Sequence, residues 1–379
     1  MRSSGTGTPA PLAGVHVVEI GTGRAGAFAG AILADLGADV VKIESSREDD
    51  GSPRRRSHRI AYDRGKRSVA AEPAAPGADD LLERLLGWAD VLLEEDPAWR
   101  ADRSAPLDAL VHCSISAYGS AAAACRPAPD PDSEDLLVQA LSGNMDLTGH
   151  EGGPPGEAGV PVADLCAGVY AAIGALGGVL AGGGHRVEVS KTDVAVALLS
   201  YMAVGWFADG EVPTRVGTGH STIFPYNSFE AADGEVVAAP FTQRFWRNFA
   251  TAIGREDLPG REEYRDFARR LVAKEELLGL FAPPLREKTV AEWVAAFAEA
   301  DVPAGPVLSL ADALDLEHTV VRGMSPTVDG SAPPVRTVAS PFRFRAPNGT
   351  AFRPVPRVAP QPGADTARVR AELAAEGVR

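Results

Sequence analysis

A glycine-rich stretch near the start of the chain has the residue types of an anion-binding turn. A β-branched run ends at Ile20, and residues 21–26 are Gly-Thr-Gly-Arg-Ala-Gly, with the spacing G-x-G-x-x-G. Glycines let the backbone turn sharply and approach a phosphate, and the helix that follows offers free N–H groups. Glu44 lies 18 residues after Gly26, near the spacing of about 20 at which an acid binds a ribose hydroxyl. The motif alone leaves open a dinucleotide site and a plain strand-to-helix turn.

A single acid begins the most apolar stretch of the chain. Asp164 precedes the run LCAGVYAAIGAL, which predicts a buried helix of small residues up to Leu180. An Asp in front of such a run is typical of an N-cap, whose carboxylate accepts backbone N–H bonds. The same position favours an ionised carboxylate, because a helix N-terminus carries a partial positive charge. Asp164 is therefore a candidate for chemistry as well as for capping.

Other reactive residues have no spacing that predicts a site. The cysteines Cys113, Cys125 and Cys166 form no C-x-x-C pair, which fits a reducing cytoplasm and predicts no thiolate zinc site. The seven histidines are scattered without an H-x-x-x-H pair, so we expect no metal. The sequence contains neither a G-x-S-x-G elbow nor a G-x-x-x-x-G-K-[ST] loop, which argues against the commonest hydrolases and P-loop enzymes.

Charge and composition limit the partners. The 379 residues include 37 basic and 51 acidic ones, for a net charge of −14, which does not favour binding to nucleic acid or to an anionic membrane. The N-terminal residues lack the apolar core of a signal peptide, and the apolar stretch 160–181 is interrupted by Asp164, glycines and prolines. We therefore expect a cytoplasmic protein without a membrane segment. An anionic ligand would need local basic residues.

Alternating strand-like and helix-like segments predict the elements that position these residues. In the first half, this alternation favours a parallel sheet with crossover helices. The predicted strands are 15–20, 40–44, 91–93, 109–116 and 186–189, and the predicted helices are 27–36, 77–89, 165–180 and 192–207. Residues 208–225 are polar and rich in Gly and Pro, which indicates a linker. Beyond it, a hairpin across Asp233-Gly234 and a capping box from Thr289 to Glu292 indicate a smaller mixed domain.

The order of many short motifs resembles the family III CoA-transferases. This CaiB/BaiF family includes formyl-CoA transferase, carnitine CoA-transferase and the α-methylacyl-CoA racemases. The opening PLAGVHVVEIGTGRAGAFAGAILADLGADVVKIES, followed by YDRGKRSVAAE, is similar to the opening of that family. Further matches are CSISAYG at 113–119, DLLVQALSGNMDLTG at 135–149, VADLCAGVYAAIGAL at 162–176, VEVSKTDVAVALL at 187–199, PYNSFEAADGEVVAA at 225–239 and VPAGPVLSLADAL at 302–314. The resemblance extends over nearly the whole chain.

The resemblance implies an α/β fold with two domains. The large domain is Rossmann-like with a parallel sheet, the smaller domain is α+β, and two subunits interlock like links of a chain. In this sequence the large domain would begin with 1–207, followed by a linker at 208–224 and a small domain at 225–330. A C-terminal segment, 331–379, would return to the large domain.

The resemblance also implies an enzyme that moves CoA between carboxylic acids. The catalytic aspartate of the family corresponds to Asp164. Its carboxylate attacks an acyl-CoA thioester, forms a mixed anhydride and then an aspartyl-CoA thioester, from which the second acid takes the CoA. The implied partners are acyl-CoA, a carboxylic acid acceptor and a second copy of the chain, with CoA as a substrate and no tightly bound cofactor. The A-G-P turn of the family corresponds to Ala25-Gly26-Ala27, so the glycine loop is expected to form one wall of a CoA site.

Several positions depart from the family pattern. The motifs E-N-F-x-P-G and G-x-G-P are missing after 91–93 and after 113–119, and Arg24 stands where a glutamine is expected. The basic residues that would compensate as CoA ligands, unless they are an ordinary solvated cluster, are Arg24, Arg47, Lys66 and Arg67. Glu134 stands at the His position of the racemases, as a second acid–base candidate or a solvated loop glutamate. Two alternatives to transfer stay open: a repurposed member with lost or altered use of CoA, and an acyl-CoA racemase or epimerase.

Overall fold

The computed structural model describes residues 10–21, 23–45, 53–72, 78–95, 109–120, 135–328 and 334–375. Two predicted site residues, Arg47 and Glu134, lie outside these ranges. The chain divides into two compact units. The large unit comprises Met1–Asn144, Ala158–Ser200 and Glu317–Arg379, and the small unit comprises Met145–Glu157 and Tyr201–Leu316. The domain boundaries of the sequence analysis, with a linker at 208–224 and a small domain at 225–330, stay a prediction.

The large unit is built on a parallel sheet of six described strands. They are β1 (His16–Ile20), β2 (Asp39–Glu44), β3 (Arg67–Ala70), β4 (Val91–Glu94), β5 (Val111–Ser116) and β6 (Arg186–Ser190). The order across the sheet is β3-β2-β1-β4-β5-β6, and every neighbouring pair is parallel. The order reverses between β1 and β4, which is the switch point where doubly wound folds bind their ligands. The predicted Rossmann-like α/β fold is confirmed.

Helices connect these strands. They are α1 (Arg24–Asp35), α2 (Pro53–Tyr62), α3 (Ala78–Trp88), α4 (Asp135–Ser142), α5 (Asn144–Leu147), α6 (Val162–Leu180) and α7 (Lys191–Asp209). Between β1 and α1 the backbone turns at Gly21, whose φ of 120° is a conformation that glycine adopts without a Cβ clash. The helical backbone of α7 breaks at Ser200, where φ is 39°. Ser200 is also the last residue of this segment of the large unit, and the small unit continues from Tyr201.

The small unit combines an antiparallel sheet with helices around an aromatic core. The sheet contains β7 (Asn227–Glu230), β8 (Glu235–Ala238) and β9 (Ala304–Pro306), and the helices are α8 (Gln243–Ala252), α9 (Phe267–Val272), α10 (Lys274–Leu285), α11 (Val290–Glu299) and α12 (Leu310–Asp315). The predicted hairpin across Asp233-Gly234 is confirmed by the pairing of β7 with β8. The predicted capping box of Thr289 and Glu292 begins α11. The buried aromatic residues include Trp246, Phe249, Phe281, Trp293 and Phe297.

The C-terminal part of the chain belongs to the large unit. It contains α13 (Glu317–Val321), the strand pairs β10 (Thr327–Val328) with β11 (Val335–Arg336) and β12 (Phe344–Arg345) with β13 (Ala351–Phe352), and α14 (Thr366–Ala375). Val369 and Leu373 of α14 join the core that β1, β2 and α3 form on one face of the sheet. This packing anchors the end of the chain on its first strands.

The other face of the sheet is covered by α1 and α6, which carry Arg24 and Asp164. Their contact is made by small residues such as Ala25, Ala29 and Ala171, all fully buried. At Gly168 a Cβ atom would lie 2.7 Å from the carbonyl oxygen of Ala25, so the two backbones touch there. Among the described helices α6 is long and apolar enough to cross a membrane by length and composition, a test that a core helix also passes.

Candidate active site

Asp164 lies in the first turn of α6. The helix begins at Val162 with Pro161 as its N-cap, and the N–H of Leu165 donates to the carbonyl of Pro161 at 3.0 Å. The N-cap position suggested for Asp164 is therefore wrong, because the helix starts earlier in the chain. The Asp164 side chain is 1% exposed and occupies a helix end that stabilises an ionised carboxylate.

Three other helices begin with a residue that contacts Asp164. Arg24 begins α1, and its Nη1 donates to Asp164 Oδ2 at 2.6 Å. Lys191 begins α7, and its Nζ lies 3.0 Å from Asp164 Oδ1. Asp135 begins α4, and its Oδ1 accepts the backbone N–H of Asp164 at 2.8 Å. The carboxylate is thus held between two cations, and its own backbone is tied to a third helix.

Lys191 also contacts a second carboxylate. Its Nζ lies 2.7 Å from Oε1 of Glu95, the residue that follows β4, and the side chains of both residues are at most 4% exposed. Burial alone would lower the pKa of Lys191, but the charges of Glu95 and Asp164 outweigh it and raise the pKa above its ordinary value. Lys191 is therefore a buried ammonium shared by two carboxylates.

The glycine loop holds the other oxygen of Glu95. The N–H of Gly26 donates to Glu95 Oε2 at 2.6 Å. Gly23 is the N-cap of α1, and a Cβ atom there would lie 1.8 Å from Cδ of Glu95. The N-terminus of α1 thus contacts an anion that is a side chain of the protein. We call Arg24, Glu95, Asp164 and Lys191 the switch-point cluster, because they lie at the carboxyl ends of β1, β4 and β6.

Sequence reasoning missed Glu95 and Lys191. Each follows a strand of the parallel sheet directly, and the ends of such strands carry functional residues in doubly wound folds. The signal for Glu95 was the neighbour relation of β1 and β4, which places the end of β4 beside the glycine loop. Lys191 lies inside the motif VEVSKTDVAVALL, but only its position directly after β6 could have indicated a role at the site.

The other described residues that were predicted as CoA ligands contact groups other than Asp164. They are Ala25, Lys66 and Arg67. Ala25 is buried between α1 and α6. Arg67 donates to both oxygens of Asp39, at 2.9 and 2.8 Å, and lies 5.4 Å from the ring of Trp88. The Lys66 ammonium is fully buried and donates to the carbonyl of Ala27 at 2.9 Å. The assignment of these residues to CoA binding stays a prediction, as does the assignment of Arg47 and Glu134.

Lys66 belongs to a second group of buried charges, which we call the sealed cluster. It consists of Glu19, Lys42, Asp63 and Lys66, none of them more than 4% exposed. Lys66 lies 2.6 Å from Glu19 and 3.1 Å from Asp63, and Lys42 lies 3.2 Å and 2.8 Å from the same two acids. Burial would raise the pKa of Asp63, but the two lysines hold it below its ordinary value.

Glu44, the acid at the end of β2, is engaged within the protein. Arg59 donates to its Oε1 at 2.8 Å, and the Ser68 hydroxyl donates to its Oε2. Both oxygens that a ribose would use therefore have protein donors. In the part of the chain that the structure describes, no group of three or more His, Cys, Asp or Glu side chains is arranged for a metal ion.

Comparison with known proteins identifies the family. The sequence model of CoA-transferase family III matches residues 12–366. The chain belongs to this family. Succinyl-CoA:mesaconate CoA-transferase of Haloarcula hispanica is 31% identical over 364 residues, which cover 87% of this chain and 89% of the relative. Succinate–glutarate CoA-transferase of Agrobacterium fabrum is 28% identical, over 96% of each chain.

A solved structure agrees with this assignment. A CaiB/BaiF family protein from Brucella suis superposes with a TM-score of 0.81 at 27% identity, covering 97% of this chain and all of that one. The predicted CoA-transferase is thereby confirmed, as is CoA as its substrate. Both curated relatives are transferases, which favours transfer over the racemase and the dinucleotide-binding alternatives.

Proposed function

We propose that this transferase moves CoA from an acyl-CoA to a free carboxylic acid through covalent intermediates on Asp164. The observation that carries the proposal is the position of Asp164, a buried carboxylate at a helix N-terminus that contacts Arg24 and Lys191. A carboxylate attacks as an anion, and the two cations compensate that charge. The named relatives act on succinyl-CoA, succinate, glutarate and mesaconate, so we propose a short dicarboxylic acid as donor or acceptor.

The reaction would pass through two anhydrides and one enzyme thioester. An Asp164 oxygen attacks the thioester carbonyl, which expels CoA thiolate and leaves an acyl-aspartyl anhydride. The thiolate attacks the aspartyl carbonyl, releases the donor acid and forms the aspartyl-CoA thioester. The acceptor carboxylate then attacks this thioester and again expels thiolate. The thiolate attacks the acyl carbon of the new anhydride, which yields the product acyl-CoA and restores Asp164.

The glycine loop would form one wall of the CoA site. Arg24 is supported in this role because its side chain is 19% exposed while one of its nitrogens contacts Asp164. Ala25 and Gly26 would shape this wall as the turn at the start of α1, since the N–H of Gly26 already donates to Glu95. Arg47 and Arg67 were assigned to the CoA phosphates from the sequence, and Glu134 to an acid–base role, and these assignments are part of the proposal. Lys66 received the same assignment from the sequence, but its fully buried ammonium contacts Glu19, so we propose a structural role for it. No tightly bound cofactor is needed for the four steps.

We further propose that the enzyme is an interlocked homodimer in the cytoplasm. Large apolar side chains are exposed in both units, and contiguous exposed apolar surface marks protein interfaces. In the large unit they include Tyr170, Ile173 and Leu180 of α6, and in the small unit they include Tyr201, Val204 and Phe207. Light scattering of the purified protein would measure its mass, and a monomer at micromolar concentration would contradict the dimer.

The role of Asp164 is tested by trapping the intermediate. After incubation with succinyl-CoA, hydroxylamine should convert an activated Asp164 into a hydroxamate, which peptide mass spectrometry can locate. Asp164→Asn keeps the shape of the side chain and should lower turnover on the order of 10⁴-fold or more, as loss of a nucleophile does. Asp312→Asn, at an exposed helix start of the small unit, is the matched control and should act as wild type.

Two results would contradict this role. One is a wild-type enzyme that turns over succinyl-CoA while no adduct forms on Asp164. The other is an Asp164→Asn variant that folds and retains wild-type turnover. Because the trapping locates the modified residue, it also distinguishes Asp164 from any other acid of the chain.

A further inference from the structure

The pair Glu95–Lys191 has no part in the four steps above, yet it contacts the residue that carries them. Lys191 Nζ lies 2.7 Å from Glu95 Oε1 and 3.0 Å from Asp164 Oδ1. All three side chains are at most 4% exposed. A buried ammonium between two carboxylates is costly unless both contacts are kept, because removing one partner leaves an uncompensated charge.

The carboxylate oxygen of Glu95 that does not contact Lys191 is held by the glycine loop. Its Oε2 accepts the N–H of Gly26 at 2.6 Å, and its carboxylate fills the space that a Cβ of Gly23 would need. Glu95 therefore anchors Lys191 to the start of α1. Through Lys191, the same anchor holds Asp164 Oδ1, so the nucleophile is fixed relative to the glycine loop.

The two oxygens of Asp164 have different neighbours. Oδ1 faces Lys191, whose side chain is 2% exposed, whereas Oδ2 faces Arg24, whose side chain is 19% exposed. A substrate arrives from solvent, so the oxygen beside the more exposed cation is the one it can reach. Lys191 thus holds the oxygen that faces the interior.

The charge of the cluster changes during the reaction. Arg24 and Lys191 balance Glu95 and Asp164 while Asp164 is a carboxylate. When Asp164 becomes an anhydride or a thioester it loses its negative charge, and the cluster is left with one excess positive charge. Fixed positive charge beside the reacting atoms favours the CoA thiolate that is expelled at that moment.

We propose that Lys191, anchored by Glu95, is a positioning residue for the transfer reaction: it holds Asp164 Oδ1 and leaves Oδ2 to attack the thioester. The proposal rests on Asp164 being the nucleophile. It assigns the glycine loop a task besides contact with CoA, since the loop anchors the Glu95 carboxylate and thereby the nucleophile.

The groups around Asp164 decide how the pair affects its titration. Burial raises the pKa of Tyr62 on α2, and the charge of Asp164 contributes to that rise. The pKa of Lys191 lies above its ordinary value, so the lysine stays protonated and acts through its charge rather than as a base. Among the residues that the structure describes, the charged and titratable groups around Asp164, its backbone and Lys191 are Arg24, Tyr62, Glu95 and Asp135.

The experiment compares Lys191→Met with the double variant Lys191→Met/Glu95→Gln. The single change leaves Glu95 and Asp164 as two buried carboxylates with one cation, so Asp164 should hold its proton to higher pH. We expect the acid limb of the single-turnover rate of adduct formation to move to higher pH. In the double variant the charge of Arg24 balances that of Asp164. The acid limb of the rate should therefore return toward its position in wild type.

The rate of adduct formation measures how well Asp164 is positioned. Without Lys191 the carboxylate is no longer fixed, and misplacement of a reacting group costs on the order of 10²-fold in rate. We expect the double variant to form the Asp164 adduct that much more slowly, with KM for the acyl-CoA unchanged. Lys191→Arg, which keeps the charge, should recover part of the rate. Arg286→Met, in an exposed ion pair of the small unit, is the control and should leave both the rate and the acid limb where they are.

The outcomes separate this proposal from the proposed function. If the wild-type enzyme forms no adduct on Asp164, the proposed function fails. If wild type forms the adduct and the double variant forms it equally fast, only the role of Lys191 fails. An unchanged acid limb in a folded Lys191→Met variant would overturn the role as well. If the single variant does not fold, the rate of the charge-balanced double variant decides.

Discussion

The large unit buries two clusters of four charged side chains, and each contains two acids and two bases. In the sealed cluster no side chain is more than 4% exposed, and each lysine contacts both acids. In the switch-point cluster three side chains are equally buried, but Arg24 is 19% exposed and contacts one acid. The two clusters have the same formal charge and differ in their access to solvent.

This difference separates a structural cluster from the cluster that we propose to be reactive. Charge balance alone does not distinguish the two, because both sum to zero. The switch-point cluster lies where the strand order reverses, and its residues begin helices or follow strands, so its N–H groups and cations can face a ligand. The sealed cluster instead joins the middle of β1 and β2 to Asp63 and Lys66, and its contacts are all internal.

The largest effect is expected from breaking the sealed cluster. Lys66→Met leaves Glu19 and Asp63 with Lys42 alone, and a buried charge that loses its partner costs about 3–5 kcal/mol in unfolding free energy. Lys191→Met should cost less, because Arg24 still contacts Asp164 and Gly26 still donates to Glu95. Denaturant titration with hydrogen exchange of the β1 and β2 amides measures the loss in the large unit.

An exposed ion pair serves as the control for this loss. Arg286 and Glu230 of the small unit form a pair in which both side chains are more than half exposed. Arg286→Met should change the unfolding free energy by about 1 kcal/mol or less, because water screens such pairs. If Lys66→Met cost no more than this variant, the sealed cluster would not be the structural element described here.

A smaller effect is expected from two matched glycines, one beside each cluster. At Gly30 a Cβ atom would lie 1.9 Å from Glu19 Oε2, and at Gly23 it would lie 1.8 Å from Glu95 Cδ. Gly30→Ala should gain about 1 kcal/mol from helix propensity and lose about 1–3 kcal/mol from overpacking, so the net change is expected to lie between about 0 and about 2 kcal/mol of destabilisation. Gly23→Ala should displace Glu95 from Gly26 and Lys191, and therefore lower the rate of adduct formation more than the stability.

The pair is informative only if the two variants differ. Thermal unfolding and single-turnover kinetics on both would measure stability and rate for each glycine. A Gly23→Ala variant with wild-type kinetics would argue that the glycine loop does not anchor the nucleophile. A Gly30→Ala variant with normal stability would show that the Glu19 side chain can shift without destabilising the sealed cluster.

The sequence predicted the fold from local patterns, whereas the family resemblance implied the catalytic role of Asp164, which stays a prediction. The alternation of strands and helices indicated a parallel sheet, and the small-residue run after Asp164 indicated the helix that packs on α1. Glu95 and Lys191 were not predicted, because their roles depend on which strands are neighbours. A local sequence pattern does not predict that β4 pairs with β1, although this pairing is common in doubly wound sheets.

The basic run at 64–67 illustrates the same limit. Its charges looked available for an anion, but each has an acidic partner far away in the sequence. Arg64 contacts Asp35 at 2.7 Å, Lys66 contacts Glu19 and Arg67 contacts Asp39. Spacing along one segment cannot reveal such partners, because the tertiary fold brings them together.

The last effect concerns the pH dependence of stability, which we expect to depend on His58, a residue of α2 that lies near Lys42 of the sealed cluster. Burial lowers the pKa of His58 on α2 to about 3 from 6.5, and the charge of Lys42 adds to this shift. The unfolded chain therefore binds a proton that the folded chain refuses, so stability is complete above about pH 6.5 and falls as the pH decreases toward about 3. His58→Leu should reduce this loss of stability, which would be measured as a smaller decrease of Tm between pH 7 and pH 4.5. Equal decreases of Tm in variant and wild type would contradict the assignment of acid sensitivity to the groups around Lys42.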